Sequence, residues 1–498
     1  MNLRVSEEFG MYFARIPLKR TPHIHHGNAL TLDWNDVLPA EQASYVFGNP
    51  PFVGAKYMSD AQREETRQVF DGIGGGGLLD FVAAWYVKAA RYLSSPLPPG
   101  TGSGVRARAA FVSTNSISQG EQVGVLWGWL LSKGMHIHFA HRTFQWSNEA
   151  RGMAAVHCVI IGFGAFDVEK KTIYEYEDIR GEPHAVAVAN INPYLVDAPD
   201  VVLTRRSTPI CNVPEIGIGN KPIDDGNYLF STEARDEFLS REPKAAKYFR
   251  RWLGADEFLN GYERWCLWLG DCPPNDLRQM PEAMSRVEAV KRSRLASKSA
   301  PTRKLAKTPT RFHVENMPSG NYIIIPEVSS ERRHFIPMGF ESPETFCSNL
   351  VKIVPDATPY HFGVLSSTMH NAWLRYVAGR LKSDFRYSSS IVYNNFPWPD
   401  APADKTRQTI EAAAQAVLDA RAQYPEATLA DLYDPLSIPP ALLKAHQKLD
   451  AAVDKAYGKT GFNSDAERVA FLFERYQALT SLLPVVTSKR SRKKSTLT

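Results

Sequence analysis

Val46-Phe47-Gly48-Asn49-Pro50-Pro51-Phe52 runs from an apolar segment straight into an asparagine, two prolines and an aromatic ring. The apolar part, Ser44 to Gly48, reads as a buried strand, and the Asn-Pro-Pro that follows marks a turn at its carboxyl end. Outward from it the chain keeps alternating. His23 to His26, Arg108 to Thr114, Met135 to Ala140 and Ala154 to Phe163 are further strand candidates. Leu78 to Leu93, with Phe81, Trp85 and Tyr92 near helical spacing, and Gln122 to Ser132 are helix candidates. Alternating strands and helices predict an α/β unit over the first 185 residues or so. Gly74 to Gly77 and Ser94 to Gly104 are loops.

In an open α/β sheet, ligands bind beyond the carboxyl ends of the strands, so Asn49 to Phe52 belongs at a site. The residue types suit one task. An exocyclic amino nitrogen on a nucleobase is a poor nucleophile because its lone pair is delocalised into the ring. Two acceptors aimed at its two hydrogens let it become tetrahedral as it attacks a methyl group. The Asn49 amide oxygen and the Pro50 carbonyl can be those acceptors, and Pro50 and Pro51 stiffen the chain that carries them. Phe52 offers a face on which an extruded base can stack. The bland alternative, a plain Asn-Pro turn, is the commoner use of these residues. Gly27-Asn28-Ala29-Leu30 at a neighbouring strand end and Leu79-Asp80-Phe81 at the head of the long helix weigh against it.

The wider sequence is ordinary for a globular protein: 498 residues, 44% apolar and 22% charged, roughly three domains at about 150 residues each. Disorder throughout is excluded. Apolar runs such as Ala154 to Phe163 are about half the roughly 20 residues that a membrane helix needs. Met1 to Gly10 lacks a secretory pattern, so the expectation is a cytoplasmic protein without membrane contact. Net charge is +5, and Lys489, Arg490, Arg492, Lys493 and Lys494 account for it. Arg286 to Arg311 carries nine Lys/Arg against one acid, Glu288, a candidate phosphate-facing segment whose alternative is a solvated helix.

Val201 to Asn395 is irregular, with a strand at Tyr322 to Ile325, helices at Glu282 to Leu295 and Phe362 to Arg380, and many prolines. It predicts a mixed second domain. After Phe396-Pro397-Trp398-Pro399, three amphipathic helices are expected at Thr406 to Ala422, Ala441 to Tyr457 and Asp465 to Leu483, then a basic tail. Five scattered cysteines predict free thiols. Cys266 and Cys272 have no nearby histidine, and His23, His25 and His26 are too few on one face, so no metal is expected. Gly217-Ile218-Gly219-Asn220-Lys221 lacks the Gly-Lys-Ser/Thr of a phosphate loop. Pro199-Asp200 with Glu242-Pro243-Lys244 mimics a nuclease pattern, but a proline between the ligands would disrupt a central strand.

Val46 to Phe52 resembles motif IV of amino-group DNA methyltransferases, and Gly27-Asn28-Ala29-Leu30 resembles their motif III. The runs Asn49 to Met58, Gly77 to Leu93, Phe144 to Ala150, Val213 to Lys221, Arg294 to Asn316 and Gly379 to Pro399 are similar to one branch, the MmeI-like (type IIL) restriction-modification family. The resemblance implies an incomplete Rossmann-like S-adenosyl-L-methionine-dependent methyltransferase domain over residues 1–190. A mixed α+β target-recognition domain (191–396), a small all-α domain (397–485) and a basic tail (486–498) would follow. It implies that Asn49 and Pro50 grip an adenine amino group beside Pro51 while Phe52 stacks on the base. Asn28 and Ala29 would meet the cofactor's adenosine. Phe144 or Trp146 would give a second stacking surface, and Lys382, Asp384 and Arg386 would read bases in double-stranded DNA. A lysine can donate to guanine O6 or N7 and an aspartate can accept from cytosine, so neighbouring positions can read one pair. Their alternative is a surface ion pair.

The family's glycine-rich motif I, Asp-Pro-x-x-Gly-x-Gly, is not in this sequence, nor are its nuclease and connector. The expectation is therefore a site-specific adenine-N6 methyltransferase chain corresponding to the later part of such an enzyme, with cofactor binding impaired unless an upstream chain supplies motif I. Its rival is a DNA-binding remnant without catalysis. Methylation of a glutamine or an RNA base shares the tetrapeptide but leaves the long DNA-reading region unexplained.

Overall fold

A computed structural model describes residues 23–94, 107–146, 156–381 and 383–481. The basic tail, position 382 and the run from Ser147 to Ala150 lie outside the described residues. The first unit is a six-stranded sheet ordered β1-β2-β4-β3-β5-β6, formed by β1 (Tyr45–Gly48), β2 (Arg108–Thr114), β3 (His136–Trp146), β4 (Val156–Gly164), β5 (Lys171–Glu175) and β6 (His184–Val188). β1 runs parallel to β2 and β3 parallel to β5; the other neighbours are antiparallel. The carboxyl ends of β1, β2, β3 and β5 therefore share one side of the sheet.

Packing follows the sequence pattern. β2 alternates buried and half-buried residues, one face to the core. The helix Ala83–Leu93 buries Tyr86, Val87 and Ala90 against it, and Tyr86 stacks on Phe163 of β4 at 5.3 Å. The helix Asp60–Val69 starts at a capping box: Ser59 Oγ accepts from Gln62 N at 3.2 Å, and Gln62 Oε1 accepts from Ser59 N at 3.0 Å. His23 to His26 is a correction. It carries no strand, because no described strand lies beside it to complete a ladder.

The middle region holds three smaller sheets. β8 (Leu229–Ser231), β9 (Phe249–Leu253), β10 (Arg264–Leu267) and β14 (Thr345–Cys347) form one. β7 (Gly217–Ile218), β11 (Tyr322–Pro326), β13 (Gly339–Glu341) and β15 (Val351–Pro355) form another. β12 (Val328–Ser329), β16 (Gly379–Leu381) and β17 (Asp384–Arg386) form the third. The helix expected over Phe362 to Arg380 is two, Pro359–Ser366 and Thr368–Val377, broken at Ser367, and its last residues are instead β16. Helices Asp404–Ala422, Pro440–Ala456 and Asp465–Ser481 follow. One continuous apolar core joins them to the first sheet: Tyr194 stacks on Phe473 at 5.0 Å, and Trp373 meets Phe473 at 5.2 Å. Among the described residues no helix is long and apolar enough to cross a membrane.

Candidate functional site

Asn49 to Phe52 leaves the carboxyl end of β1, the edge strand of the sheet. Asn49 and Pro51 are exposed, Phe52 is half-buried and Pro50 is buried. The Asn49 amide makes no hydrogen bond to another described residue, so it stands open to a ligand. The loop beyond it is fixed from behind. Phe81 N donates to Val53 O at 2.9 Å. Asp80 Oδ1 accepts from Ala55 N at 2.8 Å, and its Oδ2 accepts from Ser116 Oγ at 2.6 Å. Ser116 follows β2 and also pairs with Thr114 Oγ1 at 2.7 Å, while Asp80 N donates to Gln122 Oε1 at 3.0 Å. Asp80 thus braces the loop with groups from the next strand end, a role the sequence signalled only by placing it at the head of the long helix.

Asn28 is exposed and Ala29 half-buried. Asn28 Oδ1 accepts from Leu30 N at 2.9 Å and its Nδ2 donates to Glu65 at 2.9 Å, a local turn bond and a tether. Lys88 locks the same segment by donating to the carbonyls of Leu30 and Leu32, and burial lowers its pKa. Trp34 Nε1 donates to Ala29 O at 2.9 Å.

Phe144 and Trp146 end β3. Phe144 stacks on Tyr176 at 5.4 Å, whereas Trp146 is 40% exposed and so is no core residue. β2 and β4 stand between β1 and β3, so the sheet alone does not bring either ring to Phe52.

β16 and β17 form a hairpin in which Leu381 opposes Asp384. Position 382 is outside the described residues. Asp384 is half-buried near Arg333 and Arg380, neither of which makes an ion pair with it. Arg386 pairs with Glu327 at 2.8 Å, and Glu327 also binds Lys352 at 2.6 Å.

The basic stretch divides. Arg294 is only 1% exposed and donates to five carbonyls, those of Pro222, Ile223, Leu305, Thr308 and Arg311, at 2.8–3.0 Å. It is a clamp and faces no phosphate. Arg286 lies over Phe230 at 4.2 Å, Lys291 pairs with Glu288, and Arg311 pairs with Glu315. Arg303 donates to the carbonyls of Ser297 and Lys298. Arg292, Lys298, Lys304 and Lys307 are exposed, with no ion pair to another described residue.

The remaining motifs are structural. Asn220 is fully buried and bonds Asn316 and Cys347, and a Cβ at Gly219 would lie 2.2 Å from Ser348 O. Glu242 spends both oxygens on Glu282 N and Ala283 N, capping the helix Pro281–Ala296. No group of His, Cys, Asp and Glu suited to a metal occurs among the described residues.

Comparison with known proteins adds three family models that match consecutive segments. They are MmeI, DNA-methyltransferase domain, over residues 1–175; MmeI, target recognition domain, over 197–400; and MmeI, C-terminal domain, over 402–484. DNA methyltransferase A of Bacillus subtilis (strain 168) is 38% identical over 467 residues, 93% of this chain and 51% of that protein. The solved structure of the type IIL restriction-modification enzyme MmeI in complex with DNA is 52% identical with a TM-score of 0.84, covering 97% of this chain and 63% of that one. The chain thus spans about half the length of this curated relative.

Proposed function

The chain belongs to the MmeI-like type IIL restriction-modification family, and from that membership we propose that it transfers a methyl group from S-adenosyl-L-methionine to the N6 amino nitrogen of an adenine flipped from duplex DNA. The open Asn49 amide on a braced loop carries this reading. In it, the Asn49 amide oxygen and the Pro50 carbonyl accept the two amino hydrogens, and Pro51 keeps the pair from reorganising. Phe52 stacks on the purine. Trp146 is the more available second ring, since one side of Phe144 is taken by Tyr176.

The cofactor supplies a sulfonium-activated methyl group when bound, and because no glycine-rich motif I stands in this sequence its binding here would be weak unless another chain supplies that motif. By the family resemblance Asn28 and Ala29 would meet its adenosine end, in the segment whose Leu30 carbonyl Lys88 holds. Asn28 would have to exchange its Glu65 bond for the ligand. Duplex DNA would be held by the exposed Arg292, Lys298, Lys304 and Lys307, giving affinity without sequence information. Position 382, Asp384 and Arg386 would read base edges; Asp384 is the freer side chain, because Arg386 is engaged by Glu327.

A titration of the full chain with S-adenosyl-L-methionine by calorimetry, and then methyl incorporation into duplex DNA, tests this. Saturable heat and label in N6-methyladenine support it. Absence of both alongside tight DNA binding replaces it with the second reading, a DNA-binding chain without catalysis.

A further inference from the structure

The loop after β2 touches the end of the helix Thr368–Val377 and the start of the β16–β17 hairpin backbone to backbone. Gly120 N donates to Val377 O at 3.0 Å. Gly120 holds φ +65°, and a Cβ there would lie 3.0 Å from Gly379 Cα. One side chain then spans the joint. Arg380 Nε donates to Gln119 Oε1 at 3.2 Å, and its Nη1 donates to Glu331 at 2.8 Å and to the Ser383 carbonyl in the hairpin at 2.6 Å. Its guanidinium also lies 4.3 Å from the centre of the Phe385 ring. Glu331 in turn stands 4.0 Å from His157 of β4. The Arg380 side chain is only 13% exposed, so it is not itself positioned to reach a base edge.

A guanidinium is planar, with donors in a fixed fork, so three acceptors and a ring define its orientation where an ammonium would leave it free. Resting on the DNA-reading role proposed above for the hairpin, we propose that Arg380 is a positioning residue for sequence recognition. It sets the hairpin that carries Asp384 in a fixed place relative to the loop after β2, the same loop whose Ser116 holds Asp80 behind Asn49. Recognition and the candidate catalytic loop are thereby parts of one hydrogen-bonded frame.

The test enriches bound duplexes from a random-sequence DNA pool with the full chain and with Arg380→Met and Arg380→Lys. The wild type should enrich one motif. Both variants should retain binding to random duplex and its salt dependence while losing roughly tenfold in discrimination at the base pair read by the hairpin, the order of one base contact. A merely structural residue would weaken every position together. The same motif with unchanged discrimination at every position would overturn the proposal. Should Arg380→Met fail to fold by thermal melting, Gln119→Leu removes a single bond of the frame, and an unaltered motif for it overturns the proposal equally. A wild-type chain that enriches no motif overturns the DNA-reading role itself, a different failure from variants that match the wild type.

Discussion

The Asp80 carboxylate accepts the backbone N–H of Ala55 at 2.8 Å, and that one bond ties the head of a buried helix to the loop that presents Asn49. With Ser116 on its second oxygen, Asp80 makes the loop's shape a property of the core. Asp80→Ala should therefore cost about 2 kcal/mol, the range for leaving part-buried partners unsatisfied. Urea unfolding would measure it, and an unchanged midpoint would remove Asp80 from the brace.

Asn49 presents the opposite case. Its side chain is exposed and unbonded to described residues, so Asn49→Ala should leave the unfolding free energy within the scatter of ordinary surface changes, about 0.5 kcal/mol. Methyl incorporation into DNA should fall by at least about a hundredfold, as when a preorganised polar group is removed from an active site. Retained incorporation would mean that the amide holds no amine.

The basic segment predicts a contrast between neighbours. Arg294→Met strands five buried or part-buried carbonyls and should destabilise the chain by about 3 kcal/mol or more. Lys304→Ala with Lys307→Ala should not alter stability but should reduce the slope of log affinity for duplex DNA against log salt by about 2. Equal effects of the two changes on stability would erase the distinction.

Acid should loosen the fold. Burial holds His361 down at about 4 and His370 and His446 at about 3, so the folded chain binds fewer protons there than the unfolded one. Their stabilisation is complete above the unfolded value of about 6.5 and is lost as pH falls below it. Asp450, pushed up to about 6 by burial, acts in the opposite sense, its contribution fading as pH rises from about 4 to 6. Three histidines outweigh one aspartate. Urea midpoints should fall from pH 7 to pH 5, each net proton contributing about 1.4 kcal/mol per pH unit. His446→Gln should flatten that slope, and midpoints that rise on acidification would contradict the assignment.

The first sheet was legible because its strands and helices are local patterns. Arg108 to Thr114 is read to the residue, and Ser44 to Gly48 and Gln122 to Ser132 to within one. β5 and β6 were not read, since short alternating strands among Asp, Glu and Gly look like loops. The middle region resisted because its pairings are distant: β14 joins β9 and β7 joins β15, and no periodicity encodes such partners. At the site, Asn49 to Phe52 was visible from chemistry alone, whereas Asp80, Lys88 and Arg380 act through contacts formed only after folding. Arg294 shows the same limit from the other side, since a guanidinium looks identical in sequence whether it meets phosphates or the protein's own carbonyls.

Trp373 lying against Phe473 has a practical meaning for anyone recombining such chains. The helical end is glued to the interior of the middle region, so transplanting residues 197–400 alone between relatives would leave mismatched apolar surfaces where that region meets the helices. Exchanges confined to the exposed Leu381 and the half-buried Asp384 of the β16–β17 hairpin cut through no shared interior, and there substitutions should cost the least folded yield.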